Sequence, residues 1–100
     1  MTSIDRIKEM EEILDEAAPT VEALCTAMEA YENLYEKIRK LEGYYSGGQW
    51  MRDYEADEQG KLPKELKRGV LSEDAIYDLL ADEQAMQDRL CRLEEKLTNH

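Results

Sequence analysis

The sequence predicts an all-α fold: a long antiparallel helical hairpin with a small helical capping segment between the two long helices. Three observations predict it. Apolar residues recur at heptad spacing from Ile7 to Ile38. All five glycines lie between Gly43 and Gly69, so the flanking stretches are uninterrupted. Phe is absent and charged residues make up 37%, a poor composition for a sheet.

The first long helix is expected over about residues 3–42. With Ile7 at heptad position a, the a series is Ile7, Leu14, Val21, Met28 and Tyr35. The d series is Met10, Ala17, Leu24, Tyr31 and Ile38. All ten are apolar or aromatic, the signature of a coiled-coil-like helix. Ile13, Ala27 and Leu34 at g, with Ala18 and Cys25 at e, widen the stripe beyond a two-stranded seam. Pro19 removes one amide donor inside this run. It falls at the outward position f, and the register passes through it unbroken, so a single kinked helix is expected. Lys37, Arg39 and Lys40 complement the dipole in the last turns, and Gly43 is the expected stop.

The C-terminal helix is expected over about 73–97. Ser72 supplies an N-cap, and Glu73 and Asp74 sit at the positive end of the dipole. Its stripe runs Ile76, Leu79, Leu80, Met86, Leu90, Leu93 and Leu97, and Glu83 interrupts it. The hairpin register places Tyr31 opposite that acid.

The capping segment, 43–72, holds the only Trp and three of the six tyrosines. A short helix over about 49–58 would put Trp50 and Tyr54 on one face. Leu62-Pro63 would start another, with Pro63 at N1 and Gly69 at its end. Trp50, Tyr54, Leu62, Leu66, Val70 and Leu71 are the expected filling of this end.

These pieces make one helical domain over residues 1–100. In the hairpin register the shorter helix runs out near Leu97, opposite Ala17. Ile4, Ile7, Met10, Ile13 and Leu14 are then left without cover. Each forfeits about 1.5–3 kcal/mol if it stays in water. Contiguous apolar patches of this kind mark interfaces. The expected outcome is self-association, most simply an antiparallel two-fold homodimer; the alternative is fraying of residues 1–14.

Charge narrows the function. The chain has 24 acids and 13 bases, a formal net charge of -11. Residues 1–42 carry net -6, 43–72 are neutral, and 73–100 carry -5. Sequence-independent nucleic-acid binding and anionic membrane surfaces both need the opposite sign. No apolar targeting segment opens the sequence, so the expected location is the cytoplasm. Cys25 and Cys91 have no metal-ligand spacing and are expected to be free thiols.

Chemistry has little to stand on. The acids Asp53, Glu55, Asp57 and Glu58 miss the EF-hand pattern, because Glu58 and Lys64 occupy its Gly and Glu positions. A solvated face explains them better than a metal. His100 is the only histidine, and phosphate loops and hydrolase motifs are missing from the sequence. No cofactor and no catalytic residue is expected. Tyr44, Tyr45, Trp50 and Tyr54 are candidates for a partner surface, with a small core as the competing explanation. Lys64, Lys67 and Arg68 share a face if 63–68 is helical, and join that candidate surface.

One resemblance bears on the whole chain. Tyr44-Tyr45-Ser46 through Trp50, Asp53-Tyr54-Glu55-Ala56-Asp57, Leu62-Pro63 and Lys67-Arg68-Gly69-Val70-Leu71-Ser72-Glu73-Asp74, with Tyr77-Asp78-Leu79-Leu80, resemble the bacterial domain of unknown function family 4298. The resemblance implies a small bacterial cytosolic helical protein and brings no catalytic residues with it. The expected function is a non-enzymatic protein–protein interaction module that self-associates through its long helix. The alternative is an acidic protein that binds a basic partner, such as a nucleic-acid-binding protein, by charge.

Overall fold

The computed structural model describes residues 2–99 and is all-helical among them. Helix α1 spans Ser3–Ser46, α2 spans Gln49–Glu58, and α3 spans Ala75–Thr98; one 3-10 turn, Gly69–Leu71, precedes α3. The chain divides into two compact units, Met1–Lys37 and Ile38–His100, with the division inside α1.

The first unit is helix alone. Its start is a reciprocal cap. The Thr2 hydroxyl accepts the Asp5 amide at 3.2 Å, while the Asp5 carboxylate takes the Thr2 amide at 3.4 Å and the Thr2 hydroxyl at 2.9 Å. This is the capping-box logic with Asp in place of Glu. The capped helix begins at Ser3, and residues 3–14 are helical. Pro19 lies inside the helix, which continues past it. At the next residue, the Thr20 hydroxyl donates to the Glu16 carbonyl at 2.9 Å.

Helix α1 ends four residues later than expected. Gly43 is helical, and the stop is the Gly47-Gly48 pair. The Gly47 amide closes on the Gly43 carbonyl at 2.9 Å, and a Cβ on Gly47 would stand 2.7 Å from that oxygen. Gly48 then takes φ +91° and turns the chain into α2. Packing carries the helix past Gly43, because Leu41, Tyr44 and Tyr45 all lie against the core of the second unit.

Helix α2 occupies its expected span. It ends in a Schellman motif: Gly60, at φ +70°, donates to the Asp57 carbonyl, and Lys61 donates to Ala56, both at 3.0 Å. The helix expected from Pro63 does not form. Leu66 instead donates to the Pro63 carbonyl at 3.2 Å, a turn, and 61–68 is otherwise irregular. Helix α3 starts at Ala75 behind Asp74, two residues later than expected, and the Ser72 hydroxyl still accepts the Ala75 amide at 3.2 Å.

The core of the second unit is Trp50, Leu71 and Ile76, with Leu41, Tyr44, Tyr45, Tyr54, Leu62 and Leu80 packed around it. Leu66 and Val70, expected in this core, are exposed. Leu66 lies in the turn that replaces the expected helix and has no face to bury. Among the described residues, no helix is long and apolar enough to cross a membrane.

Candidate interaction surfaces

The α1 stripe is the first candidate. Ile4, Ile7, Met10, Ile13 and Leu14 are between 51% and 67% exposed. Val21, Leu24 and Met28, which the hairpin register was expected to cover, are exposed as well, at 60%, 47% and 44%. Exposed large apolar residues thus recur along the first unit's helix from Ile4 to Met28 and again at Leu34 and Tyr35. The first seam residue that is not exposed is Tyr31, whose ring meets Tyr35 edge-on at 6.0 Å. Cys25 flanks this stripe, and both it and Cys91 are exposed free thiols.

In the aromatic set of the second unit, Trp50 is core and Tyr44, Tyr45 and Tyr54 are half-buried around it. Trp50 is 7% exposed, and its indole N–H donates to the Val70 carbonyl at 2.9 Å. Tyr54 stacks on it, with centroids 5.1 Å apart and planes at 21°. Tyr45 meets it edge-on at 5.3 Å. Trp50 thus drops out of the candidate partner surface: an indole enclosed by two tyrosines and bonded to backbone has no face to offer.

The tyrosine hydroxyls reach the rim and tie elements together. The Tyr44 hydroxyl donates to Asp53 at 2.7 Å, linking the end of α1 to α2. Partial burial, reinforced by Asp53 as acceptor and as negative charge, pushes the Tyr44 phenol up to about 12. The Tyr54 hydroxyl donates to Glu73 at 3.2 Å. That bond and the nearby Glu58 charge raise its phenol above the ordinary value.

The basic cluster separates into two roles. Arg68 donates to the Asp57 carboxylate and to the Pro63 carbonyl. It therefore staples the irregular 61–68 segment to α2 and is half-buried. Lys64 and Lys67 are exposed, and without a helix at 63–68 the three cations do not share a helical face. Lys67 borders an open cleft of about 260 Å³ whose walls include Tyr44, Leu62, Val70 and Leu71.

Two of the four acids at 53–58 are engaged in the fold, Asp53 by Tyr44 and Asp57 by Arg68. Among the described residues, no group of three or more His, Cys, Asp or Glu could hold a metal ion. His100 lies outside the described residues. Glu83, the acid that interrupts the α3 stripe, is buried and ion-paired with Arg39, which also faces Glu42 at 3.6 Å. The sequence assigned Arg39 only to the helix dipole. A lone acid on an apolar stripe signals that some cation must face it, but not which one.

A family model described as Domain of unknown function (DUF4298) matches residues 7–93. The chain belongs to this family. The match takes in most of the exposed α1 stripe and the whole Trp50 core. No curated protein and no solved structure matches the chain.

Proposed function

We propose that this protein is a non-enzymatic helical interaction module that associates with a second copy of itself through the apolar stripe of α1. The observation that supports this reading is the length of that stripe. Eight large apolar side chains from Ile4 to Met28 are 44–67% exposed along one capped helix. At about 25 cal/mol per Å², a side chain worth 1.5–3 kcal/mol presents roughly 60–120 Å², so eight offer about 500–1,000 Å². A standard interface takes about 800 Å² from each partner. The setting is the cytosol, where Cys25 and Cys91 stay reduced.

Sedimentation of the wild type and of the Ile7→Glu/Leu14→Glu variant tests the reading. The wild type is expected to be a dimer at tens of micromolar. The variant removes four buried side chains per dimer, weakening it by about 6 kcal/mol or more, over four decades in Kd. A wild type that sediments as a monomer would refute the reading. Salt separates it from charge-driven binding of a basic partner, which weakens as ionic strength rises.

A further inference from the structure

We infer that two copies of α1 pair antiparallel in one register, in which facing seam residues have numbers summing to 31. This inference rests on the self-association reading and adds its orientation and alignment. In antiparallel coiled coils each a residue faces a d residue of the other strand. The sum of 31 sets Ile7 against Leu24, Met10 against Val21, and Leu14 against Ala17 of the second copy, each contact occurring twice.

Three observations select this arrangement. The first is extent. Seam positions are exposed from Ile7 to Met28, Tyr31 is half-buried, and Tyr35 beyond it is exposed again. An overlap centred between residues 15 and 16 pairs the seam from Ile7 to Leu24, sets Met28 against Ser3, and leaves the half-buried Tyr31 outside. The next antiparallel register, with a sum of 38, would draw the half-buried Tyr31 into the seam against Ile7.

The second is size. The layers pair Ile with Leu, Met with Val, and Leu with Ala. A large residue meets a smaller one where the seam narrows, so no layer is left hollow. A parallel pair would set Ala17 against Ala17 and leave a gap between the Leu14 and Val21 layers.

The third is charge. Residues 1–37 hold ten acids and three bases. In this register the flanking positions set Ile4 against Cys25, Arg6 against Ala27, Glu11 against Ala18, and Ile13 against Thr20. No acid faces an acid across the seam. A parallel pair gains an Arg6–Glu11 contact at its rim but aligns the helix dipoles, whereas antiparallel pairing opposes them. Pro19, at position f, stays outside the seam.

The experiment is disulfide trapping in a Cys25→Ser/Cys91→Ser background, with helicity checked by circular dichroism. In this register no seam residue meets its own copy. Met10→Cys alone is expected to stay uncrosslinked on mild oxidation. Met10→Cys mixed with Val21→Cys is expected to give a product of twice the chain mass. Self-crosslinking of Met10→Cys would overturn the orientation in favour of parallel strands. Crosslinking of Met10→Cys with Met28→Cys, but not with Val21→Cys, would overturn the register.

The helices carry like net charge, so raising NaCl from about 0.05 to 0.5 M is expected to tighten the dimer several-fold by screening it. A dimer that loosens with salt overturns the flank assignment. Failure of the underlying reading shows up separately, as a wild-type monomer in sedimentation.

Discussion

Replacing Trp50 should come close to unfolding the second unit while leaving the first unit's helix in place. Trp50 is one of three buried residues in the core, and Tyr45 and Tyr54 pack on its ring. Truncating a buried Trp to Ala costs about 3–5 kcal/mol in lost transfer energy and residual cavity. A unit of about 60 residues has roughly 3–9 kcal/mol of total stability at 0.05–0.15 kcal/mol per residue. The Ala variant should therefore lose most of its margin.

Trp50→Phe separates the ring from its donor. It keeps an aromatic face for Tyr54 but removes the N–H that reaches the Val70 carbonyl at 2.9 Å. Leaving that carbonyl unpaired costs about 1–3 kcal/mol, so the Phe variant should fall between the wild type and Ala. Urea unfolding followed by far-ultraviolet circular dichroism reads both variants. A Trp50→Ala midpoint within about 1 kcal/mol of the wild type, against the 3–5 kcal/mol expected, would refute the claim that this indole organises the unit.

Gly43 lies inside α1 with open space where a Cβ would sit, so Gly43→Ala should stabilise by about 0.5–1 kcal/mol. Gly60 sits at φ +70° in the Schellman motif, so Gly60→Ala should destabilise by about 1–2 kcal/mol; thermal denaturation of the pair should show shifts of opposite sign. The Tyr44 phenol is raised from 10.0 to about 12 in the fold. Its contribution to stability is therefore complete below pH 10 and is lost as pH climbs from 10 to about 12, when the unfolded chain gives up that proton first. Phenolate absorbance should show Tyr44 and Tyr54 titrating late in the wild type, with the step near pH 12 missing in Tyr44→Phe.

Much of the local structure was legible in the residues. Helix α2 was legible because Trp50 and Tyr54 stand four apart, and the same spacing produces their stacking. The Ser72 cap was legible from one hydroxyl before a charged first turn. The Thr2–Asp5 cap carried a readable signal, a hydroxyl residue three positions before an acid, and went unread. The end of α1 was misplaced because Gly43 is a strong local stop, and only the packing of Tyr44 and Tyr45 on Trp50 overrides it. The 63–68 segment was misread as helix because Pro63 suits an N1 position equally well as it suits a turn. Arg68 bonded to the Pro63 carbonyl and to Asp57 decides for the turn, and that contact spans eleven residues.

The sequence by itself determined that this chain is helical, that α1 carries one long apolar face, and that Trp50 belongs to the middle segment. Those properties follow from side chains three to four positions apart, and such spacings act within a single helix. Tertiary structure decided the rest. It settled that Glu83 is answered by Arg39 and that Trp50 is enclosed rather than presented. Each of these depends on which distant group arrives at a given face. Periodicity marks the face that seeks cover, and only the packed chain shows whether its own residues supply it.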